Sequence, residues 1–313
     1  MRTGAVILAA GHKSSTTAFQ PMLPIGDTTA IKRIIVTLQQ AGVEPIVVVT
    51  GHQADELEKH ISKMRVICLR NEEYQTTQMF DSICRGLNYI EDLCDRVLLM
   101  PTKAPLLLSE TIAKVMESRA PIVCPVFEGR RGHPVMIEKA WIRRLIFYRG
   151  ELGLRSFLRE PEVDAVLEEI PVEDDGIIRA VESDEECKRV MAGHGGKIPL
   201  HSRVSLYLSC DEVFFGPGIA QFLTLIDHTG SMQTACKQMH MSYSKGWKIM
   251  KTAERELGYP LLVTQSGGAE GGFSQLTPKT KDFLERFLAM EQEMNGCAKS
   301  LFEKYFGDER ERK

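Results

Sequence analysis

Over the first 190 residues, short apolar runs alternate with stretches of helical spacing, and few folds accept that rhythm. Residues 6–10, 46–50, 66–69, 97–100 and 122–126 are such runs, each four or five residues long. Most are rich in β-branched side chains and all are bounded by polar, Gly or Pro residues, the pattern of strands buried on both faces. Between them, residues 28–41, 54–62, 78–90 and 109–118 repeat apolar positions every three or four residues, as helices do. Strand–helix alternation of this length predicts a three-layer α/β unit, a mostly parallel sheet covered on both faces. Ligands on such a sheet sit beyond the carboxyl ends of the strands, which places residues 11–20, 51–52 and 101–105 around one crevice.

The formal net charge of −3 excludes a wholesale polyanion binder, so any nucleic-acid surface has to be local. The apolar run after Met1 is too short to span a bilayer, and no other run is long enough, so the expectation is a cytoplasmic protein with no membrane partner. None of the eight cysteines forms a C-x-x-C pair, which reads as reduced, mostly buried thiols. The histidines are scattered, and His194 and His201 flank a Gly/Lys/Pro stretch as linker residues rather than metal ligands. That stretch, residues 192–199, divides the chain into 1–192, a linker over 193–203, and 204–313.

Past the linker, residues 204–208 and 212–215 suit a small hairpin, and 217–228 an apolar-striped helix with Pro near its first turn. Ser231 is fitted to cap a short helix over 232–239, and Ser242 one running to about Leu257, with Gly258 and Pro260 as stops. At about 100° per residue, Gly246, Met250, Ala253 and Leu257 share one side of the second helix. Ser244, Lys248, Lys251 and Arg255 share the other, with Lys245 on its flank. The same periodicity assigns Tyr243 and Trp247 to the core side. Strand-like segments at 261–264 and 273–276 flank a glycine-rich tip at 265–272. Two helices, a basic stripe and a hairpin make an α-rich winged helix-turn-helix, a DNA-reading form. The long helix expected over 280–306 repeats Phe283, Phe287, Met290, Met294, Ala298, Leu301 and Tyr305, which predicts pairing with a second copy, a homodimer.

Several segments of the first unit bear a family resemblance. They are Ile7-Leu-Ala-Ala-Gly11, Leu23-Pro-Ile-Gly26, Asn71 with Tyr74 and the 82–87 helix, Arg131-Gly-His-Pro-Val-Met136 and Gly150-Glu-Leu-Gly-Leu-Arg-Ser156. On these residues 1–190 resemble the MobA-like nucleotidyltransferases that attach CMP or GMP to molybdenum cofactor. The resemblance implies a Rossmann-like nucleotidyltransferase fold, use of NTP and Mg²⁺, and a molybdopterin substrate. It places Leu8, Ala9, Ala10, Gly11, Lys13 and Ser14 at the nucleotide, and Gly132, His133 and Pro134 at the substrate.

The family's charged groups are missing. Its pattern has Arg four residues and Lys nine residues after the loop glycine, where Ser15 and Gln20 stand. It has Asp two residues before a Pro after the fourth strand, where Lys103 precedes Pro105, and a late carboxylate where Val181 stands. Loss of even one preorganised charge typically costs roughly 10²–10³ in rate, so no residue is assigned to catalysis and Mg²⁺ lacks its ligands. Lys103 would set an ammonium at the metal position and contact a phosphate directly, with Lys13, Arg130 and Arg131 adding charge. The expected ligand is a nucleotide or a molybdopterin phosphate.

Residues 204–287 resemble the winged helix of ModE-type regulators, a relative of the LysR-type DNA-binding domain. The matching residues are Phe215-Gly-Pro-Gly218, Thr229-Gly-Ser231, Ala235-Cys-Lys-Gln-Met239, Met241-Ser-Tyr243, Trp247, Gly267-Gly268, Gly271-Gly272 and Leu276-Thr-Pro278. The resemblance implies double-stranded DNA as partner, with Ser242, Ser244, Lys245, Lys248 and Lys251 as contacts and Ser231 and Gln233 near a phosphate. The molybdate-binding modules usual after that winged helix do not follow in this sequence, so molybdate sensing in that form is not expected. The reading is a DNA-binding regulator with a catalytically degraded sensor. The alternatives are an active molybdenum cofactor nucleotidyltransferase fused to a DNA-binding domain, and an interaction protein for molybdoenzyme maturation.

Overall fold

The computed structural model describes residues 1–11, 19–181, 183, 185–189, 200–202, 204–265 and 273–307, with backbone only at 264 and 265. The expectations placed on Lys13, Ser14, Ser15, the linker at 192–199 and the glycine-rich tip at 266–272 lie outside the described residues. The chain divides into two compact units, Met1–Ile198 and Pro199–Lys313.

In the first unit, β1 (Thr3–Ala9) is buried along its whole length. A turn of 3-10 helix at Gln20–Met22 and the paired short strands β2 (Pro24–Ile25) and β3 (Thr28–Thr29) lead into α1 (Ala30–Gln40). Then β4 (Ile46–Thr50), α2 (Ala54–Ile61), β5 (Ile67–Arg70), α3 (Met79–Ile90), β6 (Arg96–Pro101), α4 (Ser109–Glu117) and β7 (Ile122–Phe127) alternate. β8 (Arg130–Arg131), β9 (Val135–Glu138), α5 (Lys139–Ile146), the single turns α6 (Leu154–Phe157) and α7 (Pro161–Asp164), β10 (Leu167–Pro171) and a turn of 3-10 helix at Asp175–Ile177 follow.

The sheet runs β10-β7-β9-β6-β1-β4-β5, with β8 on β7. The pairs β1–β4, β1–β6, β4–β5 and β7–β10 are parallel, and β9 is inserted antiparallel between β6 and β7. This is an α/β fold with a mostly parallel sheet, as the strand–helix alternation predicts. Helix α3 lies tight on the sheet because Gly86 has no side chain, and a Cβ there would stand 2.4 Å from Val6 Cγ1. A capping box between Gln78 and Asp81 starts that helix by satisfying two otherwise open backbone N–H groups.

The second unit is mostly helical. β11 (Leu208–Ser209) and β12 (Val213–Phe215) form a small antiparallel pair, shorter than expected because residues 204–207 stay outside it. α8 (Pro217–Thr229) starts at a proline and closes at Gly230 with φ +66°. Ser231 accepts from Thr234 N at 3.2 Å to start α9 (Met232–Gln238), and Ser242 accepts from Lys245 N at 3.2 Å to start α10 (Tyr243–Leu257). β13 (Leu262–Gln265) and β14 (Phe273–Leu276) pair antiparallel, and Ser274 N donates to Gly230 O at 2.8 Å, fixing β14 to the end of α8. α11 (Pro278–Phe306) follows, capped by Thr277.

Phe215, Phe222, Ile226, Ala235, Cys236, Met250, Ala253 and Phe287 are among the buried side chains of this unit. The assignment of Tyr243 and Trp247 to the core is corrected by the structure: they are 53% and 45% exposed. The reason lies at Gly246, where a Cβ would meet Cys236 Sγ at 2.4 Å and Phe222 Cζ at 2.9 Å. With the glycine at the closest point of contact, the next residue is turned about 100° away, where an indole does not reach the core. Among the described residues no helix is long and apolar enough to cross a membrane.

Candidate functional site

β1 stands between β4 and β6, all three parallel, so their carboxyl ends open on one edge. The chain passes from β1 to β4 and β5 on one side, then crosses to β6 on the other. The switch point between β1 and β6 is where an open α/β sheet offers a crevice. Ala10 and Gly11 leave β1 there, and Thr102 and Lys103 follow β6. Thr102 is buried, its hydroxyl donating to Leu8 O at 3.4 Å, while Lys103 is exposed.

The β1 exit and the β4 exit are locked together. His52 N donates to Ala10 O at 3.1 Å, and a Cβ on Gly51 would lie 2.7 Å from both Ala10 O and Tyr74 Cβ. The rings of Phe19 and His52 meet edge-on at 5.5 Å, and those of His52 and Tyr74 at 5.9 Å. This row was not legible in sequence, since its members are widely spaced. Gly11 is exposed, with open space where a side chain would begin, so its backbone is approachable. Leu8, Ala9 and Ala10 are buried, and any contact they offer is backbone.

Three of the four positions at which the sequence reading expected the family's charged groups come together. Gln20 Nε2 donates to Val181 O at 3.1 Å, and Val181 N donates to Lys103 O at 2.8 Å. The Val181 side chain is 1% exposed and packs with Leu23, Ile25, Ala30, Leu106 and Cys187. Mg²⁺ requires oxygen ligands in a near-octahedral shell, and an ammonium and a buried isopropyl group do not fit it. Asp174, a buried carboxylate earlier in this stretch, is occupied by hydrogen bonds from Leu108 N, Thr111 Oγ1 and Gly176 N. Among the described residues no group of three His, Cys, Asp or Glu is placed to hold a metal.

Gly132 and His133 lie along the backbone of Ile177. His133 N donates to Ile177 O at 3.0 Å, and a Cβ on Gly132 would lie 2.7 Å from the same oxygen. Pro134 is buried beside them. Burial, helped by the Lys103 ammonium and opposed by a backbone hydrogen bond at Leu99, pushes His133 down to about 4. The imidazole is therefore neutral at physiological pH. Its Nδ1 is fully enclosed and finds no hydrogen-bond partner among the described residues. Arg131 does not add free charge here. Its guanidinium is engaged by Glu169 and Asp164, so the expectation that Arg131 adds charge to the crevice is corrected, while Arg130 is exposed.

On α10, Ser244, Lys245, Lys248 and Lys251 are exposed, and Gln233 is exposed on α9. Lys245 and Lys248 make no ion pair among the described residues. Lys251 pairs with Glu254 at 2.7 Å and sits 4.8 Å over the Trp247 ring. Ser231 and Ser242 accept hydrogen bonds as caps, which leaves each O–H able to donate outward.

The MobA-like NTP transferase domain family matches residues 5–166, just over half of the chain. The chain belongs to that family. The MobA-like unit is similar in fold to Rv0371c from Mycobacterium tuberculosis H37Rv, with TM-score 0.53 and 17% identity over 61% of this chain and 98% of that one. It is likewise similar to a nucleotidyl transferase from Methanothermobacter thermautotroptrophicus, with TM-score 0.53 and 19% identity over 61% and 97%. At such identities the likeness establishes fold alone.

Two curated relatives share shorter stretches. The chain is 31% identical over 120 residues to the bifunctional protein GlmU of Pseudoalteromonas atlantica, covering 37% of this chain and 26% of that protein. It is 30% identical over 84 residues to the molybdenum transport protein ModE of Azotobacter vinelandii, covering 27% and 31%. The chain thus spans about a quarter to a third of the length of these relatives.

Proposed function

We propose that this chain is a molybdenum-cofactor-related DNA-binding regulator whose MobA-like unit senses a phosphate-bearing ligand without metal or transfer chemistry. The observation that carries the reading is the Gln20–Val181–Lys103 cluster, a bonded backbone with an ammonium and a buried valine where metal carboxylates belong. An exposed Lys103 beside a neutral His133 suits an anionic oxygen more than a cation. A nucleotide or a molybdopterin phosphate is the ligand class. The helix pair α9–α10, its exposed lysines and the β13–β14 hairpin support a winged helix-turn-helix that binds double-stranded DNA, and the ModE likeness supports the same reading.

A labelled duplex selected by the full-length chain from random sequence tests both halves. With EDTA present, binding is expected to weaken steeply with salt, and Lys248→Ala to lower the salt slope by about one contact. CTP or GTP is expected to shift the affinity, and Lys103→Ala to abolish the shift. Pyrophosphate release from either nucleotide with Mg²⁺ would instead favour a working transferase, and absence of duplex binding would leave neither DNA role.

The reading includes a homodimer. Met290, Met294, Leu301 and Tyr305 are 49%, 37%, 53% and 66% exposed, and at about 100° per residue they share one side of α11 with exposed Cys297. That side borders the one that buries Leu284 and Phe302, with the buried Phe287 at the boundary between them. Leu301→Glu is expected to halve the mass measured by light scattering; an unchanged mass counts against pairing through this stripe.

A further inference from the structure

We infer that Trp247, with Tyr243 one turn before it, reads thymine methyl groups in the major groove, an inference that rests on the DNA-binding reading of α10. The first observation is exposure. A helix whose inward side already accepts Gly246, Met250 and Ala253 leaves its two aromatic side chains in water. Large apolar surface held out on a helix is a contact surface when its surroundings specify an occupant.

The surroundings here are cationic. Lys245 and Lys248 flank the indole in sequence without ion pairs among the described residues, and the Lys251 ammonium, paired with Glu254, lies over the ring. An apolar protein pocket would have to strip water from the Lys245 and Lys248 ammonium groups, whereas a phosphate backbone neutralises them. The apolar group that a duplex offers between its phosphates is the C5-methyl of thymine. It is displayed in the major groove, which admits an α-helix, and absent from the minor groove. The Lys251 contact holds the indole on one side and so fixes the surface presented for such a methyl. Trp247 is therefore assigned to sequence choice, and Lys245 and Lys248 to affinity that does not depend on sequence.

The test uses the full-length chain and a duplex enriched from random sequence, with each thymine replaced in turn by deoxyuridine, which lacks only the methyl. Burial of one such group corresponds to about fourfold in affinity. At one or more positions deoxyuridine is expected to weaken wild-type binding by about that factor. Trp247→Ala should bind thymine and deoxyuridine duplexes equally and keep the wild-type salt slope, and Trp247→Phe should keep part of the discrimination. Because the indole lies outside the core, both variants are expected to fold, which circular dichroism checks. If the duplex is bound but no deoxyuridine matters, or if Trp247→Ala discriminates as well as wild type, the inference is overturned while the DNA reading stands. Tighter binding to either separated strand overturns it too, since that points to base stacking. Enrichment of no duplex overturns both.

Discussion

Replacing Gly246 with valine is expected to destabilise the second unit and leave the stability of the first unchanged. The added Cβ would stand 2.4 Å from Cys236 Sγ and 2.9 Å from Phe222 Cζ. Phe222 is fully buried and Cys236 nearly so, so neither has room to retreat. Overpacking of a filled core costs about 1–3 kcal/mol, occasionally more, and a β-branched residue adds two methyl groups at the point of closest approach. Alanine at this position is an informative control. It gains up to about 1 kcal/mol over glycine in helix propensity, yet carries the same offending Cβ, so it should fall between wild type and valine.

The chain reports on its two units separately. It has two tryptophans, Trp141 in the first unit and Trp247 in the second. In a Trp141→Phe background, the denaturant midpoint followed through Trp247 should drop for Gly246→Val. In a Trp247→Phe background, the midpoint followed through Trp141 should not move. An unmoved Trp247 transition would show that the α9–α10 contact tolerates the extra volume.

Val181→Asp is expected to destabilise the first unit by about 3–5 kcal/mol near neutral pH, the range for an uncompensated buried charge. The carboxylate would replace a side chain that is 1% exposed among Leu23, Ile25, Ala30, Leu106 and Cys187. Its pKa would rise in the folded state, because burial favours the neutral acid. The folded protein then binds the extra proton more readily than the unfolded one, so the deficit relative to wild type should shrink as pH falls below the raised pKa. Asparagine would show no such pH dependence. Mg²⁺ should rescue neither variant. Recovery of Val181→Asp stability by Mg²⁺, followed through Trp141, would mean that the position still faces a metal crevice.

The alternation that predicts the α/β unit was legible because each buried strand is a short apolar run between punctuating residues, as at 46–50 and 122–127. The strands β9 and β10 were not. β9 directly follows the Gly132–Pro134 turn and is flanked by α5, so its three apolar residues have no boundary of their own on that side. β10 carries two glutamates in five residues and, among the described residues, pairs with β7 alone. At the crevice, the departures at Gln20, Lys103 and Val181 were readable one by one. Their meeting was not, since the Gln20–Val181 bond spans a separation of 161 residues that no local spacing encodes. Trp247 failed for a different reason. Periodicity ranks side chains by hydrophobicity, and a glycine scores nothing, yet it is Gly246 that marks the face of closest contact and turns the indole outward.

Val181 is held from both sides, its carbonyl by the Gln20 side chain and its N–H by the Lys103 carbonyl. Of the four groups in these two bonds only the Gln20 amide belongs to a side chain, so the junction depends on residue type at position 20 alone. Three segments far apart in sequence, those carrying Gln20, Lys103 and Val181, are therefore tied at one point, and a shift of any one of them is felt by the other two.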